Sequence, residues 1–335
     1  MLMNDQQCLD AMLKALHGAD RAILLTHDNP DPDCLASAMA LQVLLYERLG
    51  VASLIVYGGI LGRAENRQMV SVLGIPAMSI DLVQFRPSEQ VILIDTQPRS
   101  GNNSLPDDLK PAMVLDHHPL RPETLEAAFY DVRVGFGATA TLAWRYLRTA
   151  GIRPARTLAT ALFHAIKVET LDLTRETASA DVEAYQALLP LIDRTALAQV
   201  ERAPVPRAYF RKLVSAVAAT RVYQDVGITS MGPVDVPDMV AECADMVSRI
   251  EGIRWVLCAG EFEDNIYLSM RANELDAHAG ALIQALVRNL GRAGGHGTMA
   301  GGRIPLTRPY DDIIRDISTR LLDLIGIDDQ VGEEL

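Results

Sequence analysis

Sulfur does little to organise this chain: 335 residues carry four cysteines, Cys8, Cys34, Cys243 and Cys258, with no CxxC spacing. That excludes a zinc knuckle or a disulfide framework as the basis of the fold. Cys8, Cys243 and Cys258 read as small buried apolar side chains, and Cys34, directly after Asp33, as oxidation-sensitive. Basic charge is also scarce, since 31 Lys+Arg against 43 Asp+Glu leave a formal charge of -12. Stable duplex DNA binding needs a basic surface that releases counterions from many phosphates, and this chain does not offer one. A small anionic substrate stays admissible where bound cations and a few arginines reverse the sign locally. Long apolar runs are missing: stretches such as Val43 to Tyr46 fall far short of the roughly 20 residues that span a bilayer, so no membrane partner is expected. No basic stretch leading into an apolar core follows Met1, and the expected location is cytoplasmic. Repeats and low-complexity segments are absent too.

What is present is material for two cores, with 49% apolar and 22% charged residues. At this length two domains are expected. The first half alternates apolar runs with amphipathic stretches, the order of parallel strands joined by helices. Strands are predicted over Ala22 to Thr26, Ser53 to Tyr57, Val91 to Ile94, Met113 to Leu115 and Phe129 to Val132. A helix is predicted over Asp33 to Arg48, capped by Asp33. From Thr157 to Arg221 the pattern is helical, broken at Pro190 and at Pro204-Val205-Pro206, as in a connector outside either core. Strands return at Val226 to Met231, Trp255 to Glu261 and Asn265 to Met270, with a hairpin turn at Glu263-Asp264-Asn265 and a helix from Asp276 to Asn289 ended by Gly291. The expected fold class is α/β: an N-terminal, mostly parallel sheet with flanking helices, a helical connector, and a smaller C-terminal α/β domain with a mixed sheet. The expected limits are 1–190 for the first domain, 191–225 for the linker, 226–325 for the second domain and 326–335 for a frayed acidic tail.

Acids and histidines collect where those strands should end. His27, Asp31 and Asp33 share one loop stiffened by Pro30 and Pro32, which lowers the cost of ordering a metal site. Asp95 follows Val91-Ile92-Leu93-Ile94 and has two oxygens that can each bind a different cation. Asp116-His117-His118-Pro119 follows the next strand, so one ring can take a metal while its neighbour meets phosphate or the attacking water. Glu169, with Asp172 in reserve, closes the series. Oxygen and imidazole ligands arriving from separate strands suit a pair of divalent cations. Late in the chain, Gly294-Gly295-His296-Gly297 lets backbone amides approach an anion. Arg271 could grip a terminal phosphate in a bidentate contact, and Arg99 and Thr139 are further candidates for substrate contact. His17, His164 and His278 have no acids at ligand spacing and read as structural or surface residues.

Taken together, His27, Asp31 and Asp33, then Asp95, then Asp116-His117-His118, then Gly294-Gly295-His296-Gly297 resemble the DHH phosphoesterase family, in the branch with a C-terminal DHH-associated substrate domain. The resemblance spans most of the chain in the right order. It implies a metal-dependent phosphodiesterase or phosphatase that hydrolyses short oligonucleotides or dinucleotides to mononucleotides, as nanoRNases do, with 3'-phosphoadenosine 5'-phosphate as a further substrate. It implies two divalent ions, manganese with magnesium as the alternative: His27, Asp31 and Asp95 on one, Asp33, Asp95, His117 and a fourth-motif carboxylate on the other. His118, beside Asp116 and His117, would orient phosphate or assist proton transfer, and Arg271 and His296 would hold the far phosphate from the second domain. The fourth motif departs from the family's usual Asp-Thr, reading Glu169-Thr170. Alternatives are a cyclic-dinucleotide phosphodiesterase, a polyphosphate or pyrophosphate hydrolase, and a non-catalytic nucleotide-binding module, which Glu169 alone favours. A homodimer is compatible with this sequence, which does not fix the oligomeric state.

Overall fold

In the computed structural model, residues 4–274, 277–328 and 331–335 are described, the side chain of His296 excepted. The chain divides into two units, Met1–Ala203 and Pro204–Leu335.

The first unit holds six parallel strands, β1 (Arg21–Thr26), β2 (Ala52–Tyr57), β3 (Ala77–Ser79), β4 (Glu89–Ile94), β5 (Met113–Asp116) and β6 (Phe129–Val132), in the order β3-β2-β1-β4-β5-β6. Parallel strands are covered on both faces, so they read as continuous apolar runs. Alternate residues of β1 go to opposite sides: Ala22 and Leu24 join one core cluster, Ile23 and Leu25 the other. Order reverses between β1 and β4, because the chain runs outward through β2 and β3 before returning to β4. In open α/β sheets, ligands gather at the carboxyl ends of strands at such a reversal.

Helices α1 (Asp5–Ala15), α2 (Pro32–Leu49), α3 (Ala64–Leu73), α4 (Thr139–Thr149), α5 (Arg156–Glu169), α6 (Ser179–Leu188) and α7 (Arg194–Glu201) cover this sheet and one another. Helix α2 is nearly engulfed, with Leu35, Leu41, Leu44 and Leu45 inaccessible to solvent. Its cap is Asp31, not Asp33: an Asp31 oxygen accepts from the amides of Asp33 (2.9 Å) and Cys34 (3.1 Å). Pro32 takes the first helical position, where its missing N–H costs nothing. The shift of cap releases the Asp33 carboxylate for other work.

The expected connector is not a separate piece. Leu158, Leu162, Ile166, Leu188 and Val200 all lie in the first core, because the apolar faces of α5, α6 and α7 pack there. The units part at Ala203 and Pro204, where the Pro204-Val205-Pro206 break removes two donors, and helix α8 (Arg207–Ala218) packs Leu213 and Ala216 into the second unit.

In the second unit, β7 (Arg221–Tyr223), β8 (Val226–Pro233), β9 (Trp255–Phe262), β10 (Asn265–Ala272), β11 (Arg292–His296), β12 (Met299–Pro305) and β13 (Glu333–Glu334) form a mixed sheet in the order β11-β12-β10-β9-β8-β7-β13. Only β8 and β9 run parallel among the described pairs. Helix α9 (Asp238–Val247) packs within one cluster, and α10 (Ala279–Leu286) and α11 (Tyr310–Ile325) contribute to another. The predicted turn sits at Glu263, in the left-handed region at φ 51, and Asp264. Helix α10 is shorter than the predicted helix, whose proposed cap Asp276 lies outside the described residues. The tail is not wholly frayed: Ile327 is buried and Glu333 and Glu334 add an edge strand to β7.

His164 is structural, as expected. It is 2% exposed on α5, and neither ring nitrogen has a hydrogen-bond partner among the described residues. Burial, which outweighs the nearby Glu201 charge, pulls its pKa down to about 4. The folded state therefore refuses a proton that the unfolded chain accepts below about pH 6.5, and stability is complete above that value and lost as pH falls toward 4. A gap of this size corresponds to about 3 kcal/mol. Thermal melts between pH 7 and 4.5 should show that His164→Leu removes most of this acid sensitivity; an unchanged pH slope would refute the assignment.

Candidate metal centre

The site is built at the reversal between β1 and β4. After β1 the chain enters the His27 to Asp31 loop, where Asn29 takes φ 57 and its side chain accepts from the Ile60 amide at 3.0 Å. Asn66 of α3, itself buried, donates to the Pro30 carbonyl at 3.0 Å. These bonds fix the loop that presents His27 and Asp31. After β4, Asp95 also takes a left-handed backbone, φ 59, and its amide donates to Leu115 O at 2.8 Å. Aspartate tolerates that conformation better than most residues, and it turns the carboxylate back over the strand ends.

Five of the predicted ligands meet here. His27 Nε2 is 3.5 Å from Asp31 Oδ1 and 3.6 Å from Asp95 Oδ2. His117 Nε2 is 3.7 Å from Asp95 Oδ1 and 3.9 Å from Asp33 Oδ2. The two Asp95 oxygens thus face different imidazoles, as a bridging carboxylate must. Both rings are oriented from behind: His27 Nδ1 stands 2.9 Å from Asp28 O, and His117 Nδ1 3.0 Å from Phe136 O. A carbonyl only accepts, so each Nδ1 carries a proton, which leaves Nε2 as the atom that would lose its proton and face a metal.

Asp33 is held by a helix to which it does not belong. Its oxygens accept from the amides of Thr139 (2.8 Å) and Ala140 (2.7 Å), the start of α4, whose own cap residue Ala138 has no side-chain acceptor. Thr139 is fully buried and its hydroxyl donates to Asp95 Oδ1 at 2.7 Å. This corrects the expectation that Thr139 meets substrate: its donors are spent on two ligands. Burial, then the charges of Asp95, Asp31 and Glu169, push the Asp33 carboxyl well above the usual carboxylate range. Crowded acids of this kind are what a pair of cations neutralises.

Asp116 serves His118. Its Oδ1 lies 2.8 Å from His118 Nδ1 and its Oδ2 accepts from Gln97 Nε2 at 2.6 Å. Burial alone would lower the His118 pKa, but the Asp116 hydrogen bond and the charges of Asp95, Asp116 and Glu169 push it up to about 9. The Asp116 carboxyl shifts the other way, below its usual range, because the His118 bond overcomes its burial. Asp116 is therefore a positioning residue.

Glu169, the last residue of α5, is raised by burial and by the charge of Asp31, while His117 and Arg175 act on it in the opposite sense. It borders the cluster, with Arg175 Nη2 at 3.2 Å from its Oε1. Asp172 is engaged elsewhere, accepting from Tyr185 Oη at 3.0 Å. Arg99 is exposed just past β4. In the second unit, Arg271 Nε donates to Asp245 at 2.5 Å and Nη1 to Ser269 Oγ at 2.8 Å. Gly294 and Gly295 lie on β11; at Gly295, φ 148, a Cβ would stand 2.4 Å from Ala300 Cα, so close strand packing demands that glycine. Gly297, φ 51, accepts at its carbonyl from the Ala279 amide. The side chain of His296 lies outside the described residues.

Sequence reasoning missed two supports. Gln97 accepts at Oε1 from the Arg121 amide (2.8 Å) and Thr124 Oγ1 (2.7 Å) while holding Asp116. Asp181, fully buried, accepts from the amides of Gly137 and Ala178 and from Thr141 Oγ1. It ties α6 to the turn before α4, where a Cβ on Gly137 would stand 2.6 Å from Thr170 Cγ2. The only local signal was a polar side chain near a helix start.

Residues 21–166 match the DHH family, N-terminal domain, and residues 226–322 match the DHHA1 domain. The chain belongs to the DHH family. This DHH protein is 34% identical over 319 residues to an uncharacterized protein of Methanocaldococcus jannaschii, covering 92% of this chain and 65% of that one. It is 26% identical over 171 residues to a protein named probable manganese-dependent inorganic pyrophosphatase in Lactobacillus gasseri, covering 50% and 54%. It thus spans just under two thirds of the archaeal relative's length and about half of the other's. An exopolyphosphatase-related protein of Bacteroides fragilis shares the fold at TM-score 0.71 and 14% identity, over 95% of this chain and 96% of its own. Thermus thermophilus RecJ in complex with Mn2+ aligns at TM-score 0.50 and 14% identity, over 97% and 55%.

The donor set of this DHH protein fits two divalent cations, His27, Asp31 and Asp95 facing one position and Asp33, Asp95 and His117 the other. Removing a group that orients ligands costs about 10- to 100-fold in metal affinity. Calorimetric titration of Thr139→Val with Mn2+ should show a loss in that range, with a native circular dichroism spectrum; wild-type affinity would contradict the role given to Thr139.

Proposed function

We propose that this protein is a two-metal phosphoesterase that hydrolyses short oligonucleotides or dinucleotides to mononucleotides, with 3'-phosphoadenosine 5'-phosphate as a further substrate. One observation carries the reading: His27, Asp31, Asp33, Asp95 and His117 converge, with both Nε2 atoms directed at the carboxylates and both Nδ1 atoms held by carbonyls. Family membership supports it, and the relatives named manganese-dependent pyrophosphatases favour manganese, with magnesium as the alternative. When bound, two such ions activate the attacking water and stabilise both the entering and the leaving oxygen.

The chain's own residues supply positioning and one proton. Asp116 fixes His118 Nδ1, which leaves Nε2–H to face the phosphoryl group. The Asp116 hydrogen bond favours the protonated form of the His118 ring. It is therefore suited to donate to a phosphoryl or leaving-group oxygen rather than to act as a base. Glu169 completes the second ion's carboxylates in this reading, and Arg99, at the rim of β4, is the nearest exposed arginine in sequence to the ligand Asp95. Arg271, Gly294, Gly295, His296 and Gly297 remain the substrate contacts proposed for the DHHA1 domain.

A second reading has a specific observation behind it. Two relatives, 26% identical over about half of this chain, are named inorganic pyrophosphatases. A panel of dinucleotides, cyclic dinucleotides, 3'-phosphoadenosine 5'-phosphate, pyrophosphate and polyphosphate, assayed with Mn2+ and product identification, separates them. Mononucleotide release should dominate, vanish in Asp95→Ala and with chelator, and fall about 10²- to 10⁴-fold in kcat in His118→Ala. Faster hydrolysis of pyrophosphate would favour the second reading, and no hydrolysis of any member would refute both.

A further inference from the structure

One residue beside the centre has no place in the ligand set above. Cys34 is fully buried in the first turn of α2, one residue after Asp33. Its Sγ, a ring nitrogen of His27 and a carboxylate oxygen of Asp31 all lie within 4.8 Å of one another. Donors held at 2.1 and 2.3 Å from one ion at a tetrahedral angle stand about 3.6 Å apart. The 3.5 Å between His27 Nε2 and Asp31 Oδ1 already has this spacing, and the sulfur lies within 4.8 Å of a donor atom on each of these residues.

Two features prepare the sulfur for this role. The thiol's hydrogen bond to Asp31 O is a long one, 3.4 Å, given up at little cost. The site also lies at the amino end of an 18-residue helix, whose dipole offsets part of the burial that otherwise holds the thiol protonated. We infer that Cys34 is a sulfur ligand of the ion on the His27 side, which makes the two metal positions chemically unequal. This rests on the two-metal reading of the centre. Ligation forms a metal–sulfur bond and releases the thiol proton to solvent, with no redox change.

The consequence is selectivity. A nitrogen, oxygen and sulfur set prefers borderline ions such as Zn2+ and Co2+, whereas Asp33, Asp95 and His117 form a harder set that suits Mn2+. The His27 side therefore takes up Zn2+ or Co2+ from a mixture while the other position keeps Mn2+.

Cobalt reports this directly. Titrating the full chain with Co2+ should raise a near-ultraviolet thiolate-to-cobalt charge-transfer band that saturates at one equivalent, alongside weaker visible ligand-field bands. In Cys34→Ser and Cys34→Ala the visible bands should persist and the near-ultraviolet band disappear, with Zn2+ affinity down about tenfold or more and Mn2+ affinity unchanged. Zinc-edge absorption of the wild-type protein, which needs no variant, should show one sulfur at about 2.3 Å. Cobalt bound without a sulfur band would overturn this inference and leave the two-metal reading standing. A band that survives in Cys34→Ser would also overturn it by assigning the sulfur to another cysteine. Failure to bind cobalt at all would bring down both.

Discussion

Asp33 and Asp95 are buried beside the partly exposed Asp31, and such charges repel strongly unless something positive faces them. The fold supplies that in part before any cation arrives. Asp31 is bonded to the first amides of its own helix α2, Asp33 to the first amides of α4, and Asp95 to the Thr139 hydroxyl. Helix amino termini carry free N–H groups and partial positive charge, so aiming two of them at the centre lets carboxylates sit closer than they otherwise could. The remaining imbalance, seen in the raised Asp33 and Glu169 carboxyls, is the driving force for taking up divalent ions.

Much of the first unit serves this one arrangement. The β1–β4 reversal brings together loops 68 residues apart; Asn66 and Asn29 brace one, and the Leu115 carbonyl the other. Asp181 and Gly137 fasten the turn that delivers α4. Behind His118 stands a chain from the Thr124 hydroxyl and the Arg121 amide through Gln97 to Asp116, so the ring's position depends on groups that never reach the centre. The second unit is organised differently, by sheet packing: Gly295 is there because two strands approach closely, and Arg271 is held by Asp245 and Ser269.

Strand existence and the strand-end placement of the candidate ligands were legible because a doubly covered parallel strand reads as an apolar run, and an acid after such a run has one natural location. Phe129–Val132, an edge strand, matched to the residue through its alternation of buried and more exposed positions instead. The cap of α2 was ambiguous, since Asp31-Pro32-Asp33 offers two acceptors and only the bonding to α4 decides which is free. Thr139 was misread because its partners lie 44 and 106 residues away, beyond any local pattern. The helices from Arg156 to Glu201 looked like a connector because proline breaks mark turns, not domain limits; their buried faces show which core they belong to. The three-residue β3 and helix α11 were not anticipated, and β3 is too short to carry a periodic signal.

The central claim is that one ring of side chains seats two ions around Asp95. Crystals grown with Mn2+ and measured at its absorption edge test it most directly. Two anomalous peaks about 3.5–4 Å apart, one against His27, Asp31 and Asp95 and the other against Asp33, Asp95 and His117, are the predicted result. A single peak, or none within reach of Asp95, would contradict the account.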